Sequence, residues 1–239
     1  MAQVILIRTW RYPSKLTFVV FPVFIAGGLF IQVVRLGLVF ELTPVIVAIA
    51  IPWIAGAAFG LNPLGDEKRV LPTTLTTSIT GKQFIDGITI PGRLIGFPVI
   101  IVFLLGANVV SPHTLLEGMG LLALGAVLMF TSVQLAPLVG MWFPRFSAIT
   151  VKESREVVPP SLTAMAIHAL LTLGIGIVAA ASLLAPESVQ AALHLIVDIA
   201  VPVTWVRIGG FGIPLVIAIV VTDRARRYAA NRFETYTIE

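Results

Sequence analysis

The residue types able to do chemistry are few in this chain, and their spacing does not build a site. Histidine occurs only at His113, His168 and His194, and cysteine is absent. Scattered histidines without cysteine argue against a metal centre and rule out a disulfide framework. His168 sits in an uncharged run with no carboxylate three or four residues away. That isolation reads as a structural, hydrogen-bonding histidine rather than a general base. Ser111-Pro112-His113 lacks an organising base, because Glu117 is weakly placed for that role. There is no HExxH, no paired carboxylates and no Gly-rich phosphate loop. No catalytic, cofactor-binding or metal-binding residue is therefore assigned, and the chain is expected not to be an enzyme. Energy from ATP would have to come through a partner.

The remaining polar residues of the apolar runs, Asn108, Thr131, Ser132 and Gln134, are uncharged. They fit helix glue or the lining of a path. The lack of carboxylates in these runs argues against a proton-coupled pump. It leaves open a channel, or a sodium-coupled carrier using backbone carbonyls.

The elements that hold these residues follow from composition. Of 239 residues, 57% are hydrophobic and 12% charged, with a mean hydropathy of +1.00. Soluble domains are about one quarter charged, so this much apolar surface points to a bilayer. The net charge of +4 does not indicate nucleic acid, because the basic residues flank apolar stretches and form no continuous stripe.

A helix crosses the hydrocarbon in about 20 apolar residues. Uncharged runs cover 16–34, 42–65, 94–116, 118–144 and 157–186. Between Glu187 and Asp223 the only charges are Asp198 and Arg207. A single helix there would be about 50 Å long, too long for one span. Pro202 is read as the break between a short re-entrant or interfacial segment at 188–201 and a true span. Six spans result, near 16–35, 42–61, 94–111, 117–142, 161–184 and 203–222, in one membrane domain over 1–239.

Six spans place Arg8, Arg11, Lys15, Lys68, Arg69, Lys82, Arg93, Arg145, Lys152, Arg155, Arg224, Arg226, Arg227 and Arg232 on one side. Only Arg35 and, at its edge, Arg207 fall on the other. By the positive-inside rule both termini are expected in the cytoplasm of a multi-pass cell-membrane protein.

Residues 1–15 read as an interfacial amphipathic element or as a frayed basic tail. The segment 62–93 is the longest polar connection. Within it, Ser78 to Gly87 fits a short amphipathic helix capped by Ser78, which either docks another protein or packs back on the bundle. The second cytoplasmic connection, 143–160, reads as a surface turn, and Pro159-Pro160-Ser161 opens the next helix. Small residues such as Gly56, Gly60 and Gly125 allow close helix approach, which is also ordinary membrane composition.

Several motifs together resemble ABC transporter permeases of the type-2 exporter class, most closely permease proteins of halophilic archaea. They are Asn62-Pro63-Leu64-Gly65-Asp66-Glu67 leading into Leu71-Pro72, then Thr80-Gly81 with Phe84 and Gly87. Phe143-Pro144-Arg145-Phe146, Val158-Pro159-Pro160-Ser161 and the tail from Arg227 to Thr237 complete the likeness, which covers residues 62–239.

The resemblance implies an all-α membrane protein of six transmembrane helices. It adds an N-terminal amphipathic elbow, a cytoplasmic coupling helix in loop 62–93 and a re-entrant segment before the last span. It implies ABC ATP-binding subunits as partners, with ATP and Mg bound there and no cofactor on this chain. A second permease copy or a sister permease would complete the pathway, since relatives often carry two such halves. Thr80, Gly81, Lys82, Gln83, Phe84, Asp86 and Gly87 would form the coupling element, with Lys82, Gln83 and Asp86 as its polar contacts. Phe143, Pro144 and Arg145 would brace the cytoplasmic mouth. The alternative is a multi-span membrane scaffold or assembly protein that transports nothing.

Overall fold

The computed structural model describes residues 31, 34–37, 39–67, 70–152, 155–198 and 201–237. The expected elbow at 1–15 and nearly all of the expected first span lie outside these residues. At the edge of that region Gly37, with φ +72, donates its N–H to the Val34 carbonyl at 3.1 Å. A β-carbon would strain that turn. The chain then enters α1 (Val39–Gly60), followed by the short helices α2 (Pro63–Glu67) and α3 (Leu71–Thr76). Next come α4 (Gly81–Val110), α5 (Leu115–Trp142), the hairpin β1 (Ile149–Lys152) and β2 (Arg155–Val157), and α6 (Leu162–Leu184). The last two helices are α7 (Pro186–Val197) and α8 (Val203–Glu234).

Among the described residues α1, α4, α5, α6 and α8 are long and apolar enough to cross a membrane. Their starts are written in side-chain chemistry. Thr80 and Gln83 form a capping box at α4, Thr114 and Glu117 form another at α5, and Ser161 caps α6 by accepting from the Ala164 amide at 3.1 Å. Each satisfies amides that a helix start leaves without partners. Prolines interrupt α1 at Pro44 and Pro52, α4 at Pro91 and Pro98, α5 at Pro137 and α8 at Pro214. Membrane helices tolerate them because neighbouring groups satisfy the freed carbonyls.

Two expectations need correction. The connection over 62–93 is not a loop with one short helix: its second part is the start of α4, continuous with the expected third span. Thr80 caps that helix, two residues beyond Ser78, because Gln83 is placed to return the bond. Helix α8 continues past the expected end of the last span at 222 as far as Glu234, and its charged turns pack on α4 through Arg226 and Asp86. The connection expected as a surface turn carries an irregular hairpin over 149–157, pairing Ile149 with Val157, Thr150 with Glu156 and Lys152 with Arg155. By contrast, the break at Pro202 holds. Asp198 ends α7 in the left-handed conformation and Pro202 precedes the first turn of α8.

The helices pack around α5. Its apolar stretch is 72% buried, against 17% for α8. Helix α1 runs parallel to it at very close range. A β-carbon on Gly56 would collide with Ser132, one on Gly60 would lie 2.8 Å from Pro137, and one on Gly140 would lie 2.5 Å from the Leu61 carbonyl. Gly56 and Gly60, facing Ser132, Ala136 and Gly140, are spaced four apart on both helices, so the backbones meet where side chains would forbid it. Helix α4 runs antiparallel, with Gly92 against Val133 and Gly96 against Met129. Helix α6 is also antiparallel, with Gly176 against Leu128 and Leu183 against Gly120.

Helix α8 crosses this bundle at a slant. Near its start Gly210 lies against Ser182 of α6. Midway, Thr131 of α5 bonds Thr222 at 2.9 Å and the Ala218 carbonyl at 3.2 Å. Near its end Arg226 and Phe233 reach the first turns of α4. The helix therefore straps one end of α6 to the opposite end of α4.

Candidate functional site

The ends of the helices gather on two faces. One holds the end of α1, the start of α4, the end of α5, the start of α6 and the end of α8; it also carries most of the basic residues. Its construction begins at Asn62. The Asn62 amide donates to the Arg145 carbonyl at 2.9 Å and to the Pro159 carbonyl at 3.4 Å, and its oxygen accepts from the Arg145 amide at 3.2 Å. Ser161 donates to the Phe143 carbonyl at 2.8 Å while capping α6. Gly65 lies so close to the Arg145 carbonyl and Asn62 that no larger residue fits. One buried amide thus ties the connections after α1 and α5 and before α6 together, and every backbone group that it meets is satisfied.

The start of α4 is bound to the end of α8. The Gly81 amide donates to Glu234 Oε1 at 2.8 Å, and Gly81 packs directly on the Ala230 backbone. Phe84 is fully buried and stacks on Phe233 with ring centroids 4.0 Å apart. Asp86 receives both Nε and Nη2 of Arg226, at 2.9 and 2.5 Å, in a bidentate pair. Arg93 donates to Thr89 at 2.6 Å and lies within electrostatic reach of Asp86 and Arg226. At about 1.5 Å per residue, α4 and α8 are roughly 45 Å long, well beyond a hydrocarbon core of about 30 Å. At this clasp both carry charged turns, Lys82 to Arg93 on α4 and Asp223 to Glu234 on α8.

The residues expected to couple to a partner therefore divide. Gly81, Phe84 and Gly87 are buried, and the Asp86 carboxylate is committed to Arg226. Lys82 and Gln83 are exposed, and Gln83 also serves the capping box with Thr80. With Pro72, Thr73 and Thr76 of α3 and Thr77, Ser78 and Ile79 of the turn after it, they form an exposed surface. Phe143, Pro144 and Arg145 are half-buried at the end of α5, held by Ser161 and Asn62.

The inner half of this site is not among the residues expected from the sequence: Arg226, Ala230, Phe233 and Glu234 carry no expected role there. Their spacing of four, seven and eight residues from Arg226 places them on one helical face, a signal open to inspection. Asn62 stands in the first motif of the resemblance, and no local pattern marks its distant partners.

Inside the bundle, His168 is fully buried and lies 3.0 Å from Ser132 Oγ and 3.1 Å from the Ser132 carbonyl. A carbonyl acceptor makes Nε2 the donor there. That bond joins α6 to α5, as expected of a structural histidine. Among the described residues no group of three or more His, Cys, Asp or Glu could hold a metal ion.

Comparison with protein-family models, curated proteins and solved structures finds no match. The fold and the long apolar helices define the class: a multi-pass, mostly α-helical membrane protein.

Proposed function

We propose that the chain is the membrane permease subunit of an ATP-driven exporter of the type-2 ABC class. In this reading separate ATP-binding subunits, carrying ATP and Mg, dock on the exposed surface at 72–83. Lys82, Gln83 and Ile79 are the contacts, and Asp86 acts from behind by holding Arg226. The observation that carries the reading is the clasp behind that surface. A load on Lys82 passes through Phe84–Phe233 and Asp86–Arg226 into both α4 and α8, so a partner's movement reaches two membrane helices at once. In the same reading the basic face and both termini are cytoplasmic, α7 is a re-entrant element before the last span, and two permease units share one pathway.

The test is mild-detergent purification of the full chain from its native membrane, with a photocrosslinker at position 79 or 82. Crosslinks to a co-purifying ATPase, lost when the crosslinker is moved to position 188, support the reading. Its failure would be purification without any ATPase, or crosslinks that avoid residues 72–83. A membrane scaffold would then be the better description.

A further inference from the structure

Helix α5 is enclosed on three sides but not on the fourth. Gln134 is buried, whereas Phe130 and Met119, further toward the other face, are 46% and 58% exposed. This open stripe lies between α4, which touches α5 at Gly92–Val133 and Gly96–Met129, and α8, which touches it at Thr131–Thr222. The two walls meet at Asp86–Arg226, and further along α8 Gly210 lies against Ser182 of α6. A groove results, closed at the basic face and open above it.

Its walls and its closed end differ in chemistry. On α4, Arg93, Phe97 and Ile101 recur at four-residue spacing, and Phe97 packs on Phe130 with centroids 4.7 Å apart. On α8, Ile219 lies seven residues before Arg226 on the same helical face and is 58% exposed. A turn or two above, a β-carbon on Gly212 would meet nothing within 4 Å. The walls are therefore apolar and open. At the closed end Arg226 is paired with Asp86, and Arg93 lies within electrostatic reach of both. Asp223 also bears on Arg226 but is itself paired with Arg227 at 3.0 Å. Arg93 Nε, a donor, is buried without a hydrogen-bond partner among the described residues. Arg93 also marks where the uncharged run of α4 begins, which is headgroup level for a spanning helix.

We propose that this groove is a binding site for an anionic phospholipid, with its phosphate at Arg93 and Arg226 and its acyl chains along Phe97, Phe130 and Ile219. A phosphate supplies the acceptors that Arg93 lacks and balances the excess positive charge at the joint. Acyl chains cover an apolar stripe that α4 and α8 leave bare. A zwitterionic lipid fits the walls equally well but brings its own cation to a site already cationic. The site does not depend on the transport reading.

The test places a photoreactive benzophenone side chain at position 130 of the full-length chain, in nanodiscs of equal parts phosphatidylglycerol and phosphatidylcholine. Phosphatidylglycerol should be captured about fivefold more often, the ratio expected from one unbalanced basic residue at a membrane surface. Arg93→Gln, which leaves the Asp86–Arg226 pair in place, should bring the two lipids close to parity. Millimolar inorganic phosphate should not change the ratio, whereas displacement would show a free-anion site and overturn the lipid assignment. Equal capture of both lipids by the otherwise unaltered chain would overturn it without recourse to any variant. So would crosslinks from position 130 to residues 16–34 or to a second copy, since the groove would then be filled by protein.

Discussion

Phe84 in the first turn of α4 and Phe233 in the last turn of α8 lie stacked, with ring planes 16° apart, although 148 residues separate them (233 − 84 = 149, less one). The rings are almost fully buried on the basic face. They make the ends of two long helices one unit.

Phe233→Ala removes a buried ring and leaves Phe84 facing a cavity. A loss of about 3 kcal/mol is expected. Thermal unfolding of the purified chain in mild detergent measures it, and Phe233→Leu should recover a large part. An unchanged midpoint for the alanine variant would mean that the stack carries no stability.

The Asp86–Arg226 pair is bidentate, but both side chains are about one-third exposed, at 29% and 37%. Solvent screening therefore limits it to a coupling of about 1 kcal/mol. A double-mutant cycle of Asp86→Asn and Arg226→Gln should return that value and shrink as salt is raised. Coupling that ignores salt would contradict the exposed geometry.

Asn62→Ala should cost about 2 kcal/mol, because the Arg145 amide and carbonyl lose their partner at a partly buried site. Asn62→Asp should rescue little: a carboxylate accepts from the Arg145 amide but cannot donate to either carbonyl. Limited proteolysis should cut the 145–158 connection faster in both variants than in the parent chain.

Gly56→Ala drives a methyl group into Ser132 at the closest approach of α1 and α5. Loss of a monodisperse folded fraction is expected. Gly106→Ala is the control, because nothing lies within 4 Å of a β-carbon there. It should leave folding unchanged or slightly improved, as alanine favours a helix over glycine.

Because the chain has no cysteine, single substitutions report sidedness cleanly. Ser188→Cys should react with an impermeant maleimide added to intact cells. Ser78→Cys and Ser147→Cys should react only after permeabilisation. Reaction of either of these two in intact cells would invert the assigned orientation.

The sequence reached the spans because crossing lipid is a local demand. A run such as 118–144 must be apolar and uncharged wherever its neighbours sit, so length and charge alone located α5. Caps and breaks were legible for the same reason: Ser161 and Pro202 act within a turn of themselves. The start of α4 was misread because Ser78 and Thr80 are equally good caps by type. Only the return bond from Gln83 separates them.

What no local pattern contained was which helix meets which. Gly81, Phe84 and Asp86 fit a helix that either docks another protein or packs back on the bundle, and the partners they meet lie at the far end of the chain. Whether a carboxylate is free for another protein or spent on Arg226 depends on where α8 meets α5 and α4, at Thr131 and at Asp86. The sequence by itself determined that the chain is a multi-pass membrane protein with several helices long and apolar enough to cross a bilayer. The tertiary structure alone decided which polar groups are consumed in holding the bundle, because pairing between distant helices arises from packing, to which neighbouring residues in the sequence give no clue.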